Sequence, residues 1–251
     1  MKSILIAGNS FEFYAKRLLF PGLDLHTRSR YRFLPSFFQA GELDTLDAGC
    51  GNGALAYAAY RQGNHVLGIT LDSDQVRRNR AFFAQAGTDC SRLDFQALNL
   101  YDLPKLGRQF DQIICSETLE HVRHDRQMID HFYNLLKPQG ILHLCCPYAL
   151  HSEHHLGRQD GPEDGGHVRD GYTLESYKSL LRPAGFEVIK AVGIGSPWVV
   201  APDKILRLVR HHLGEGAGVL LFPLFYWPTL LDFVNPKVPY SLYVQVRKMS
   251  K

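Results

Sequence analysis

From residue 43 onward, short apolar runs alternate with longer stretches in which apolar positions recur at helical spacing. The runs at 43–48, 66–71, 93–98, 111–116 and 140–146 are predicted as strands, with helices between them. Strand and helix in strict alternation imply a parallel, doubly wound α/β sheet whose ligand sits at the carboxyl ends of the strands. Phe186–Val192 and Leu242–Arg247 also show strand alternation, but about 45 residues separate them, far more than a hairpin loop needs. Ahead of the first strand, Phe11, Tyr14 and Leu18, then Tyr31, Leu34 and Phe38, recur at helix-like spacing on either side of Pro21-Gly22, which predicts two helices over the sheet edge. The chain therefore divides into a helical cover (1–40), a core (41–195 and 240–251) and an insertion (196–239).

The first strand and its turn carry the clearest chemistry. Leu43-Asp-Thr-Leu-Asp-Ala-Gly-Cys-Gly-Asn-Gly-Ala-Leu-Ala56 is an apolar strand, a turn with glycine at 49, 51 and 53, and a helix start. Glycines let the backbone approach a ligand, and the helix aims its positive end at the same place. Gly49-x-Gly51-x-x-Ala54 also satisfies the dinucleotide fingerprint. Two features point elsewhere: Asp47 at the strand tip suits an ammonium group, and the second strand ends in Thr70 where a dinucleotide site wants an acid for the ribose. Asp72, slightly later, is a second candidate for that ribose contact.

Four landmarks in order resemble the class I S-adenosylmethionine-dependent methyltransferases over roughly residues 40–192. They are Asp47-Ala-Gly-Cys-Gly-Asn-Gly53, the strand and turn Phe110–Val122 with Ser116-Glu-Thr-Leu-Glu-His121, and Leu135-Leu-Lys-Pro-Gln-Gly-Ile-Leu142, in which Gln139 replaces a glycine; the fourth is Leu98-Asn-Leu-Tyr-Asp-Leu-Pro104. The resemblance implies a Rossmann-like, seven-stranded, mostly parallel sheet with an antiparallel last strand, and N-terminal helices that cover S-adenosyl-L-methionine, bringing Tyr14, His26 or Arg30 near it. It assigns Asp47, Gly49, Cys50, Gly51 and Gly53 to the amino-acid end of the cofactor. Gly68-Ile-Thr-Leu-Asp-Ser-Asp-Gln75 is similar to the cyclopropane-type variant, which carries over Thr70, Leu71 and Gln75, with Asp72, to the ribose. Asn99 and Leu100 then face the adenine, and Ser116 follows the fourth strand.

Methyl transfer to a hydroxyl needs a base or a metal as well as orientation. Glu117, Glu120 and His121 stand at i, i+3 and i+4, on one face if the turn is helical. This Glu-x-x-Glu-His resembles the metal site of ubiquinone-type O-methyltransferases and of small-RNA 3′-terminal 2′-O-methyltransferases, with His167 as the added histidine. Glu117, Glu120, His121 and His167 are thus candidate ligands for Mg²⁺, Mn²⁺ or Zn²⁺, and Glu117, His121 and His167 candidate catalytic groups. Without an ion, His121 or His167 is the general base. The loop from His151 to Asp164 reads as a cover over the site, its histidines at the surface or forming a second metal set from His151, His154 and His155.

Composition narrows the partners. A net charge of +3 with no long Lys/Arg run argues against nucleic acid. Five cysteines without a C-x-x-C pair read as buried thiols in a reducing compartment, and the brief apolar run after Met1 is too short for a signal peptide, so a cytoplasmic location is expected. Residues 218–234 are unusually apolar but interrupted by Pro223, Pro228 and Asp232, which suits a flap, a homodimer contact or peripheral contact with a membrane or an apolar substrate better than a span. The main expectation is a methyltransferase acting on a hydroxyl of a small or amphiphilic acceptor; its rivals are an RNA-end methyltransferase, an NAD(P)-dependent oxidoreductase and a non-catalytic cofactor-binding partner.

Overall fold

The computed structural model describes residues 20–154, 157 and 161–249; Phe11, Tyr14, Leu18 and His155 lie outside them. The second of the two expected N-terminal helices is α1 (Leu25–Phe33), capped by the Asp24 carboxylate and continued by a 3-10 turn over Leu34–Phe37. The apolar runs form β1 (Asp44–Ala48), β2 (His65–Thr70), β3 (Leu93–Ala97), β4 (Phe110–Ser116) and β5 (Leu136–Pro147), followed by β6 (Phe186–Ile194) and β7 (Ser241–Lys248). Between them lie α2 (Ala54–Arg61), α3 (Ser73–Gln85), α4 (Asp125–Leu135), α5 (Leu174–Leu181), α6 (Pro197–Leu213) and α7 (Glu215–Tyr226).

One seven-stranded sheet has the order β3-β2-β1-β4-β5-β7-β6. β1 to β5 pair in parallel, and β7 runs antiparallel to both β5 and β6. The antiparallel last strand is as the resemblance implies. Because both faces of the sheet are covered, successive residues of β4 serve different cores: Ile113 and Cys115 pack with Met128, Phe132, Tyr177 and Leu181, while Ile114 packs with Ala58, Phe83 and Phe95. That two-sided burial is why the strands read as continuous apolar runs rather than alternating ones.

β5 begins with an irregularity. Leu136 pairs with Phe110 and Ile141 with Gln112, so Lys137–Gly140 loop out of the ladder, with Gln139 at φ +62° bearing the left-handed conformation a glycine would take. Lys137 closes the loop by bonding Asp111 at 2.8 Å and Asp44 at 3.0 Å. Strand order reverses beside β1 and β4, and the crevice outside their carboxyl ends is where a doubly wound sheet binds its ligand.

Between β6 and β7 the chain forms α6, α7 and a 3-10 turn over Trp227–Leu231. Asp232 anchors this excursion, accepting from the Ser196 N–H at 2.9 Å and from the Ser29 hydroxyl of α1 at 2.5 Å. Among the described residues no helix is long and apolar enough to cross a membrane.

Candidate active site

The glycine turn after β1 is laced to β2: the Gly49 and Cys50 amides both donate to Ile69 O, at 2.9 and 2.8 Å. Gly49, Gly51 and Gly53 all have positive φ, +83°, +50° and +76°. Their reasons differ, which the sequence does not reveal. A Cβ on Gly49 would collide with Thr118, and one on Gly53 would lie 2.8 Å from the rings of Phe83 and Phe95; at Gly51 it would meet nothing within 4 Å. Only Gly51 presents bare backbone to open space, while the other two glycines serve close packing.

Beside this turn is a cavity of about 320 Å³ lined by Asp47, Gly49, Cys50, Gly51, Ser116 and Glu117, together with Thr27, Arg30 and Tyr31 from α1. Asp47 is 2% exposed. Burial pushes its carboxyl up to about 7, against the lowering effect of the Ala56 N–H, and its Oδ2 has no hydrogen-bond partner. A buried acceptor left unpaired costs free energy until something donates to it. Of these neighbours the sequence pointed to Arg30; Thr27 and Tyr31 were missed because nothing local shows which face of α1 meets the loop.

The candidates for the nucleoside end are less gathered. Gln75 lines a second cavity of about 340 Å³ with Phe20, Asn79 and Phe82, and Asn52 belongs to both cavities. Thr70, Leu71, Asp72, Asn99 and Leu100 line neither. Asp72 caps α3 through the Asp74 N–H at 2.8 Å and pairs with Arg78 at 3.0 Å, Leu71 is exposed, and the Asn99 side chain caps a 3-10 turn through the Tyr101 N–H.

After β4 the expected helical face does not form. Glu117 sits at φ +50°, and only Leu119–His121 make a 3-10 turn. The left-handed residue swings Glu117 away from the other two: Arg30 lies 3.3 Å from its Oε2, and the Ser241 hydroxyl donates to its Oε1 at 3.2 Å. The compact group is Glu120, His121 and His167, whose ligand atoms all lie within 4.8 Å of one another; Glu117 is not part of it. The expected helical face shared by Glu117, Glu120 and His121 is therefore replaced by a left-handed residue and a short 3-10 turn, with Glu117 beside the cluster rather than in it.

Glu120 is fully buried, and burial, then the nearby Glu117, pushes its carboxyl well above the usual range. The Cys146 thiol and Glu120's own backbone approach it, but neither carboxylate oxygen has a hydrogen bond of normal geometry. His121 Nδ1 lies 3.0 Å from Gly166 O, and because a carbonyl only accepts, that nitrogen carries the proton. Nε2 is then the lone-pair nitrogen, 3.9 Å from Glu120 Oε1. The His167 ring stands edge-on to His121, centroids 4.7 Å apart.

His167 reaches this turn because its neighbours are stapled there. The Val168 amide donates to Glu120 O at 2.9 Å. Arg169 donates to the carbonyls of Val122 and Arg123, both at 2.9 Å, and pairs with Asp125. His151 and His154, expected at the surface or in a set with His155, are buried against the Tyr240 ring, at centroid distances of 5.2 and 4.3 Å, and burial lowers the pKa of both; His155 lies outside the described residues. An imidazole presents an apolar ring edge as well as polar nitrogens and can pack against an aromatic ring, which a polar-looking loop conceals.

A methyltransferase-domain family model matches residues 19–191, more than two thirds of the chain. The chain belongs to the methyltransferase-domain family. This methyltransferase domain is similar to a ubiquinone biosynthesis O-methyltransferase of Xylella fastidiosa, 38% identical over 100 residues, covering 39% of each chain. It is also similar to 24-methylenesterol C-methyltransferase 2 of rice, 28% identical over 158 residues, covering 61% of this chain and 43% of that one. The methyltransferase domain thus spans only about two fifths of the length of these relatives. Among solved structures, a methyltransferase from Thermotoga maritima described as a possible histamine N-methyltransferase superposes with a TM-score of 0.61 at 14% identity, over 95% of this chain and 96% of the other, a likeness of fold. S-adenosylmethionine, which the fold family implies, is matched here by a buried carboxylate with one partnerless oxygen, which suits an ammonium group, and by bare backbone at Gly51.

Proposed function

We propose that this methyltransferase domain transfers a methyl group from S-adenosylmethionine to a hydroxyl of a small or amphiphilic acceptor, with a divalent ion held by Glu120, His121 and His167. The cofactor supplies an electrophilic methyl on a sulfonium. Asp47 receives the ammonium group, Gly51 leaves room for the amino-acid end, and Arg30, paired with Glu117, forms the wall toward α1. The observation that carries the acceptor chemistry is a fully buried carboxylate without a proper hydrogen bond, set against two imidazoles.

A carboxylate oxygen and two imidazole nitrogens suit Mg²⁺, Mn²⁺ or Zn²⁺, and an ion there lowers the pKa of a bound hydroxyl and fixes its position. The chain's own contribution is orientation. Gly166 O holds His121 in one tautomer, and Val168 and Arg169 fasten the His167 segment to the turn, which keeps the candidate ligand atoms within 4.8 Å of one another. With the ion stripped, His121 Nε2 takes the hydroxyl proton. The insertion 196–239 contributes the acceptor side: Asp203 of α6 lies 3.4 Å from His26 of α1, which stacks on Tyr240. Relatives named for ubiquinone, a sterol and a sphingolipid support an acceptor with a large apolar part.

The test is S-adenosylhomocysteine formation on a panel of phenols, alcohols and amines, with chelator and with each ion restored. Hydroxyl acceptors are expected to turn over, with the rate falling on chelation to the level that His121 Nε2 supports alone and regained with one of the three ions. Glu120→Gln is expected to lose the ion response while keeping cofactor affinity. Equal rates with and without chelator refute the metal role, and turnover confined to amines refutes the hydroxyl assignment.

A further inference from the structure

Helix α7 carries an apolar row on the side turned away from the protein. Gly218 and Phe222 face inward, the latter packed with Leu25, Val199 and Leu206. Outward lie Val219, Leu220 and Leu224, then Trp227, Leu230 and Leu231 of the following turn, each between 43% and 79% exposed. Glu215, in the first turn, falls at helical spacing on the inward side with Gly218 and Phe222, and its carboxylate lies 3.8 Å from Arg210 Nε. No charged residue follows it before Asp232. Single exposed leucines are commonplace, but a continuous row of this size marks a contact surface.

Area, spacing and charge together say what covers it. The exposed fractions of the six side chains amount to roughly 700 Å² per copy, close to the ~800 Å² that each partner brings to a stable interface. Leu220, Leu224, Trp227 and Leu231 are separated by four, three and four residues, the spacing of a seam between paired helices. That spacing reads the same in both directions. An antiparallel copy related by a two-fold axis therefore sets Leu220 against Leu231 of the partner subunit, and Leu224 against the partner's Trp227. A helix that lies on a bilayer carries a basic face beside its apolar one, whereas from His211 to Pro236 there is neither lysine nor arginine. The nearby arginines of α1 are engaged with the chain itself. Arg32 Nη1 donates to Thr229 O and Leu230 O, at 3.1 and 3.2 Å; Arg28 Nε donates to Gly22 O at 2.7 Å, and its guanidinium lies 5.0 Å over the Phe222 and Tyr226 rings.

We infer that α7 and the turn after it form the interface of a two-fold homodimer, closed by this antiparallel seam. A helix apolar on all sides is then enclosed on all sides. Trp227, in the middle pair of the seam, is the kind of large aromatic anchor that carries much of the energy of a protein contact. The interface needs neither cofactor nor acceptor, so it stands or falls apart from the catalytic reading.

Sedimentation velocity and light scattering of the full chain over a series of concentrations are expected to show a monomer–dimer equilibrium. The double variant Leu220→Glu and Leu224→Glu, at exposed positions, raises the dissociation constant at least about a hundredfold and leaves the far-UV circular dichroism unchanged. The register has its own test. Leu220→Glu and Leu231→Lys, each alone, place an unpaired charge in the seam and are monomeric; mixed, they restore a dimer, because the new carboxylate and the new ammonium meet. A chain that stays monomeric, a dimer that the double variant leaves intact, a mixture that fails to pair, or a monomer that floats with phosphatidylcholine or phosphatidylglycerol vesicles would each overturn the proposal.

Discussion

The Asp47 carboxyl couples folding, cofactor affinity and pH, and replacing it with asparagine separates them. Burial raises this group from its ordinary 3.8 to about 7. The folded chain therefore binds a proton that the unfolded chain releases at lower pH, so stability falls as pH rises from about 4 to about 7, by roughly 4 kcal/mol in all. Asp47→Asn removes that loss, so above neutral pH the variant melts higher than the parent, while near pH 4 the two are alike. Cofactor binding shows the opposite sign. An ammonium partner needs the carboxylate, so below about pH 7 a proton must leave for each cofactor bound, and affinity falls toward tenfold per pH unit. Calorimetry between about pH 5.5 and 8.5, in buffers of different ionisation heat, should show proton release nearing one at the acid end and vanishing at the alkaline end. At the alkaline end Asp47→Asn should bind about 2–5 kcal/mol more weakly, the cost of unpairing a buried charge, and show no pH dependence. Affinity that stays flat across this range in the parent, or equal affinity in the variant, refutes the reasoning.

The glycines offer a contrasted pair. Gly51→Ala meets nothing within 4 Å and costs only the backbone strain of φ +50°, about 1 kcal/mol, with cofactor binding weakened in calorimetry; Gly53→Ala adds to the strain of φ +76° a Cβ driven into Phe83 and Phe95, so thermal unfolding shows a larger loss, about 2–4 kcal/mol. Arg169→Met leaves the Val122 and Arg123 carbonyls without their side-chain donor and Asp125 without its cation, though Tyr172 still donates to it, which is expected to cost about 2–3 kcal/mol in denaturant unfolding. It should also abolish the metal response with cofactor affinity intact; an unchanged metal response would show that His167 is held by something else.

The sheet was legible because each strand is a buried apolar run bounded by a turn, and one run of text contains the whole of it. The site was legible where one segment makes it, as at Asp47 and Gly51. It was not where backbone conformation decides direction: Glu117 turns away from Glu120 because of one left-handed residue, and sequence spacing presumes a helix there. Asn99 and Asp72 spend their side chains on capping, a use that local polarity does not distinguish from ligand contact. α7 was hidden by Pro223, which sits inside the helix where the breaker rule expects an end, tolerated by packing on α1 and α6.

The central claim is that the Gly49–Gly53 turn and Asp47 hold the methyl donor beside the Glu120, His121 and His167 cluster. A crystal structure of the chain soaked with S-adenosylhomocysteine tests it directly. The account predicts the amino group on Asp47 Oδ2 and the amino-acid end over Gly51, with the sulfur side toward the turn after β4. Nucleoside density anywhere else, or a ligand that leaves Asp47 Oδ2 without a donor, would contradict it.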